Sequence, residues 1–207
     1  MKVVSLLIGT PILAFTGVTS HLLYHLRYAP KKAMPAPNWD VSESERETVV
    51  KNREGLLKGI QEVYAATATV DSLKHVSDDV IFEDPVVKFY GKRELSCVIP
   101  IMKKSLKASS ATQTVEKFQT VHGENEMYVD MCVKFTLGSR SFTLPSLVSI
   151  MLRKKATGEG EEVVHMTEEY LWKPLLNRDS SLILGACHAA MKRFNGIICA
   201  KLFKYKE

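Results

Sequence analysis

Two carboxylates standing beside aromatic residues are the groups in this sequence most able to do chemistry. Asp84 lies in Ile81-Phe82-Glu83-Asp84-Pro85, and Glu168 lies in His165-Met166-Thr167-Glu168-Glu169-Tyr170-Leu171-Trp172. In an apolar cavity a carboxyl group keeps its proton to higher pH and can act as a general acid or base, while a tyrosine hydroxyl stabilises an enolate or alkoxide. Asp84 precedes a proline, which pushes it to extended backbone and sets it at a bend between two short strands, with Val86 to Tyr90 returning to a turn at Gly91. The competing reading of Asp84 is a turn cap that accepts local backbone N–H groups. Alternation along the later run puts His165 with Val163, Thr167, Glu169 and Leu171. It puts Glu168 with Val164, Met166, Tyr170 and Trp172. The second face is the more apolar, so the candidate pocket is Tyr64, Asp84, Glu168, Tyr170 and Trp172. Tyr170 and Trp172 at such positions are more often plain core than a ligand platform. His165, His122 and Asp130 are weaker candidates, read also as exposed or turn positions.

No nucleophile motif, phosphate loop or metal-ligand spacing accompanies these groups, so no catalytic residue, metal or cofactor is assigned. Cys97, Cys132, Cys187 and Cys199 are scattered without a C-x-x-C pair and read as small buried hydrophobes. Thr157 to Glu162 holds glycines but has the character of a turn.

The elements that must position these residues follow from periodicity. Ser42 and Ser44 precede Glu45 and Glu47 by the capping-box interval, and Val49, Leu56, Leu57, Ile60, Val63 and Tyr64 recur at helical spacing. A single long amphipathic helix over Glu43 to Ala66 is therefore expected, with Gly55 and Gly59 placed for close approach to a neighbour. Asp71 caps a short second helix through Val76. Leu95, Val98, Ile99, Met102 and Leu106 mark a third, which Pro100 must kink or break early. The period then changes to two. Strands are expected over Gln113 to Val121, Met127 to Leu137, the run holding Phe142 to Leu152, and Val163 to Trp172, with turns at Gly138-Ser139-Arg140 and Thr157 to Gly160. Pro145 implies a bulge or an edge.

At 207 residues, 45% apolar and 25% charged, the chain is one globular domain with an appendage. Val3 to Ser20 carries no charged residue, and Leu22, Leu23 and Leu26 extend the run. At roughly 1.5 Å per residue this reaches the ~30 Å of a bilayer core. The division expected is a transmembrane helix or signal anchor over 1–28, a proline-bearing linker over 29–41, the domain over 42–178, and a basic amphipathic helix over 179–207. Arg27, Lys31 and Lys32 follow the span, which places the main domain in the cytosol as a single-pass membrane protein. The alternative is a cleaved secretory signal, with the domain in the lumen. The net charge of +5 is modest and is shared by the flank of the span and the tail, so no nucleic-acid partner is indicated. In the tail, Ile183, Cys187, Met191, Phe194, Ile198 and Leu202 form an apolar stripe. Lys192, Arg193, Lys201, Lys204 and Lys206 are expected outside it, as in a helix on an anionic membrane surface or one docked on the domain.

The order helix, helix, short hairpin at Phe82-Glu83-Asp84-Pro85 with Gly91, helix, and four long strands resembles the nuclear transport factor 2-like superfamily, which includes the SnoaL-like domains. The resemblance covers about Ser42 to Leu176 and includes the run His165 to Leu176. It implies an α+β, cone-shaped fold in which a curved antiparallel sheet carries three packed helices. Members include isomerases, dehydratases, cyclases, hydrolases and non-catalytic domains, and dimerisation is common, so a homodimer is also implied. The enzymes place an Asp or His in the cone mouth against a Tyr or Trp, but no catalytic set aligns residue by residue here. The expected function is binding of a small apolar molecule or a protein partner at the membrane surface. The alternative is an isomerase or dehydratase using Asp84 or Glu168.

Overall fold

The computed structural model describes residues 27, 31–36, 39–158, 160–173, 175 and 182–203. The span expected over 1–28 lies outside the described residues, Arg27 excepted. Among the described residues no helix is long and apolar enough to cross a membrane.

Helix α1 (Glu43–Asn52) starts at the expected capping box, where the Ser42 backbone N–H and hydroxyl donate to Glu45 at 2.9 and 2.6 Å. It buries no residue. The long helix expected to Ala66 is instead interrupted at Arg53, and α2 (Glu54–Tyr64) continues as the packed half, burying Leu56, Gly59, Ile60 and Tyr64. Arg53 lies at the junction with 1% of its surface exposed. Its guanidinium donates to Glu161 Oε2 and Oε1 at 2.6 and 2.9 Å and to the Gly123 and Glu124 carbonyls at 2.7 and 2.6 Å. A long-range clamp therefore sets the break. Gly59 is used as expected: a Cβ there would stand 2.2 Å from the Ser72 carbonyl oxygen, so only glycine lets the next turn approach. That turn is a 3₁₀ helix of three residues, Asp71–Leu73, shorter than the helix expected to Val76.

Strand β1 (Val76–Glu83) takes up Ser77 to Asp79, directly after the short helix expected through Val76. Arg153 holds this stretch extended, reaching Asp79 at 3.0 and 3.1 Å, Ser77 at 2.9 Å and Glu162 at 2.7 Å. Strand β2 (Lys88–Tyr90) returns from Pro85 and ends at Gly91, whose φ of 81° suits glycine. The expected third helix is two pieces, α3 (Lys92–Leu95) and α4 (Val98–Ser109). The interruption falls at Ser96-Cys97, which places Pro100 in the first turn of α4, where a missing N–H costs nothing and no kink is needed.

Strands β3 (Ala111–His122), β4 (Glu126–Leu137), β5 (Arg140–Lys154) and β6 (Glu161–Tyr170) form the long meander. Chain order and sheet order differ, because the sheet runs β2-β1-β6-β5-β4-β3 and β1 pairs with β6 in parallel. The architecture is thus α+β with a curved, mixed six-stranded sheet rather than a purely antiparallel one; among the described residues there are five α-helices, because the first and third expected helices are each split in two and the expected tail helix follows them. Pro145 sits where pairing of β5 with β6 has ended, since Ser146 opposite Tyr170 is the last pair. It is the local edge that a proline requires. A bulge leaves Val164 unpaired between Val163 opposite Leu152 and His165 opposite Met151. Simple alternation fails there: Val163 faces the core at 2% exposure, not outward with His165.

The core lies between the inner sheet face and the helices. Val80, Phe82, Phe89, Met127, Val129, Met131, Val133, Val148 and Ile150 pack against Leu56, Ile60 and Tyr64. Each such side chain contributes roughly 1.5–3 kcal/mol of transfer free energy. The last helix, α5 (Leu182–Leu202), docks on β2 and the hairpin. Gly196 permits it, because a Cβ there would stand 2.1 Å from the Lys88 carbonyl oxygen.

Candidate functional site

Asp84 follows the last residue of β1, and its two oxygens divide the two roles proposed for it. Oδ1 accepts the backbone N–H groups of Val86 and Val87, each at 2.6 Å, as a turn cap does. Oδ2 accepts the Tyr170 hydroxyl at 3.0 Å. Glu168 lies on β6 opposite Val148, and its Oε2 accepts the Tyr64 hydroxyl at 2.8 Å. Tyr64 closes α2, and its backbone carbonyl accepts Gln113 Nε2 of β3 at 2.6 Å. Three distant segments therefore hold two tyrosine–carboxylate pairs side by side.

These groups border a cavity of about 310 Å³. Its walls are Val63 of α2, Phe82 and Phe89 of β1 and β2, Ile101 and Met102 of α4, Val133, Phe135, Leu144 and Met166 of the sheet, and Cys199 of α5. The polar lining is Tyr64, Asp84, Gln113, Glu168 and Tyr170, with no Lys, Arg or His among the described lining residues. A volume of this order holds a small molecule rather than a few waters.

Burial pushes the Glu168 carboxyl up to about 8, and the neighbouring Asp84 charge adds to the rise. The Tyr64 hydroxyl and Ser146 pull the other way, Ser146 lying close without reaching hydrogen-bonding geometry. Burial also raises Asp84, against the Val87 and Val86 N–H groups, the Tyr170 hydroxyl and the Lys192 charge. Tyr64 and Tyr170 are both pushed well above the usual phenol range, by burial first and then by the two carboxylates. At neutral pH the site accordingly offers two phenol donors, each already given to a carboxyl, and one carboxyl that holds its proton.

Of the five residues expected in the pocket, Tyr64, Asp84, Glu168 and Tyr170 line the cavity and Trp172 does not. Strand β6 ends at Tyr170, and Leu171 and Trp172 turn away with φ of 57° and 59°, so alternation does not carry that far. The Trp172 carbonyl instead accepts the Lys32 N–H at 2.7 Å. His165 faces away from the cavity beside Met151 and Ile81. Asp130 is on the outer face in an ion pair with Lys117, and His122 lies at the end of β3 against Thr120 at 3.1 Å. No group of three or more His, Cys, Asp or Glu side chains among the described residues could hold a metal ion.

One polar lining residue was missed in the sequence, and two tail residues were expected on the wrong side of their helix. Gln113 is one polar residue among many in its strand, yet it shares parity with Val115 and sits opposite Phe135, which marks it as inward-facing. Lys192 and Arg193, expected on the outside of the tail helix, point into the domain. Lys192 is fully buried in an ion pair with Glu83, and Arg193 grips Glu94 with two nitrogens at 2.5 and 2.9 Å.

No protein-family model and no curated protein sequence matches the chain. The fold is similar to solved structures at low identity. A nuclear transport factor 2-like protein of Anabaena variabilis aligns at 11% identity with a TM-score of 0.47, covering 63% of this chain and 92% of that one. A nuclear transport factor 2-like protein with a cystatin-like fold from Novosphingobium aromaticivorans aligns at 11% identity and a TM-score of 0.44, over 62% and 87%. ActVI-ORFA of Streptomyces coelicolor aligns at 11% identity and a TM-score of 0.44, over 60% and 97%. These likenesses concern the path of the backbone and assign no activity to this chain.

Proposed function

We propose that this chain is a nuclear transport factor 2-like domain that binds a small, mainly apolar molecule in the cavity between α2, α4 and the inner sheet face. One observation carries the reading: about 310 Å³ of space among apolar walls, with five polar side chains converging on it. A scaffold without a ligand gains nothing by leaving such a volume unfilled, since cavities cost stability. Naphthalene, a neutral apolar probe, should bind saturably to the full chain, and Ile101→Trp, which fills the space from α4, should abolish binding without lowering Tm. Equal binding by both proteins would overturn the reading.

A second reading is favoured by Glu168, whose carboxyl titrates near the working pH of a general acid or base and is touched by a phenol donor. On this reading the domain is an enzyme of isomerase or dehydratase type, with Glu168 moving the proton and Tyr64 bracing it. Such an enzyme would exchange an α-proton of a bound cyclic ketone for deuterium in heavy water. Exchange that persisted unchanged in Glu168→Gln would remove Glu168 from the mechanism.

Attachment to a membrane through residues 1–28 belongs to the same proposal, supported by the uncharged run Val3 to Ser20. The full chain should stay in the membrane fraction through alkaline carbonate extraction, and its release would contradict the anchor.

A further inference from the structure

Helix α5 is amphipathic in the wrong sense for a helix docked on a globular domain, which normally buries its apolar side and gives its charges to water. His188 and Lys192 are fully buried and Arg193 is spent on Glu94, whereas Phe194, Ile198 and Leu202 are 61%, 37% and 69% exposed. Spaced four apart and preceded by the exposed Cys187 and Ala190, they form one outward stripe along the helix. Lys201 is exposed beside Leu202. Lys104 of α4 lies over the ring of Phe203, 5.6 Å from its centre, which brings the later turns of α4, with the exposed Lys103, Lys104 and Lys107, to the end of the stripe. Neither α4 nor the sequence from Leu182 to Lys206 holds an acidic residue. Glu83 and Glu94, which α5 meets on its inner side, are taken up by Lys192 and Arg193.

From this inversion we infer that α5 lies along an anionic membrane surface, with Phe194, Ile198 and Leu202 in the acyl boundary and Lys103, Lys104, Lys107 and Lys201 at the level of the phosphates, while its other side stays clamped to the domain. An apolar stripe rimmed by cations and free of acids has the chemistry of an interfacial helix, and lysine stems reach from the apolar layer to the headgroups. The cations that meet the lipid come from α4 and the end of α5, not from Lys192 and Arg193. A second copy docked face to face would set two net-positive surfaces together with no acid to offset them. The run Val3 to Ser20, folded back, would cover the stripe and leave the lysines without counter-charge. An acidic protein would answer the lysines, but the tether favours a bilayer, a step that rests on the membrane attachment proposed above. Lys32 holds Glu169 at 3.1 Å, and Lys192 holds Glu83, which lies opposite Thr167. Glu83, Thr167 and Glu169 share the outer face of β1 and β6, so the linker joins the domain on the face that α5 clasps. The five residues from Arg27 to Lys32 span at most about 18 Å, and a bilayer left near residue 26 stands no farther than that from Lys32.

The test places a nitroxide at position 198 (Ile198→Cys) of the full chain in which Cys187→Ser removes the exposed native thiol, and reads its access to oxygen and to a nickel chelate by power saturation. The Cys187→Ser chain alone gives the background from the half-buried cysteines. A label at position 156 (Ala156→Cys), on the exposed β5–β6 turn, is the reference. In vesicles containing phosphatidylserine the label at 198 should be open to oxygen and closed to the chelate, while the label at 156 stays open to the chelate. Changing Lys103, Lys104 and Lys107 together to Gln should lower the ratio of immersed to free label about a hundredfold, as three lysine charges near an anionic surface warrant. A label at 198 that stays open to the chelate would overturn the inference. So would a label closed to both oxygen and chelate, the mark of a protein cover such as a second copy, an acidic partner or Val3 to Ser20. Immersion unmoved by the three lysine substitutions would overturn it as well. A chain that resists carbonate extraction while its label at 198 stays open to the chelate loses this docking face and keeps the anchor; a chain that carbonate releases, yet whose label is immersed, loses the anchor and keeps the docking face.

Discussion

Glu83 and Asp84 are neighbours in sequence, and the fold sends them to opposite fates. Glu83 is pushed up by burial, yet Lys192 and Lys88 outweigh that push, and its carboxyl ends below the usual range. Asp84, one residue on, has no cation among the described residues lining the cavity; its burial outweighs the Lys192 charge, and it ends above that range, as Glu168 does. The paired side, where Arg193–Glu94 and Lys192–Glu83 fasten α5, is built to hold the chain together. The cavity side keeps its acids unpaired by cations, a choice that weakens the fold and gains a place for something else. Burial is common to both, so the counter-charge decides the sign.

The largest effect should come from the paired side. Lys192→Met removes the buried partner of Glu83 and leaves it Lys88 alone, and should destabilise the protein by about 3 kcal/mol, in line with broken buried ion pairs. Chemical denaturation at pH 7 measures it, and a loss below about 1 kcal/mol would mean that α5 is only laid on the surface.

The cavity side should respond with the opposite sign. Glu168 titrates near 4.5 when unfolded and about 8 when folded. Below the first value both states hold the proton. As pH rises the unfolded chain ionises first, so stability falls through the window between these values and levels off above it. Glu168→Gln should therefore stabilise the protein at pH 7 by about 2–3 kcal/mol and flatten that slope. Glu83 works the other way, contributing stability that is present above its unfolded value and lost as pH falls through its folded one. A stability profile of Glu168→Gln identical to that of the parent would erase the contrast.

Smaller effects sharpen it. Tyr170→Phe removes the phenol donor from Asp84 Oδ2 and should cost about 1 kcal/mol, read from the shift in denaturation midpoint. Glu94→Gln loosens the partly exposed grip of Arg193 and should cost less than about 1 kcal/mol, with the loss fading in high salt.

Much of the fold could be read in the residues, because strand β4 alternates cleanly and the capping box at Ser42 is local. What could not be read depended on distant groups. Arg53 breaks the first helix because Glu161 and the Gly123 carbonyl, more than sixty residues away, hold its guanidinium. The bulge at Val164 is silent because Val163 and Val164 are the same residue. Four of the five expected pocket residues meet at the cavity because each sits on an element with a clear period or at a proline-defined bend. Trp172 escapes because the strand ends before it. Gln113 was passed over because one amide in a polar strand carries no signal until its partner strand is known.

The cavity keeps an acid without a counter-ion among its described lining residues. Carbon-13 NMR of the Glu168 side-chain carboxyl, assigned by its loss in Glu168→Gln and followed from pH 3 to pH 10, tests it directly. The expected midpoint is about 8. A midpoint at or below the ordinary glutamate value would contradict it.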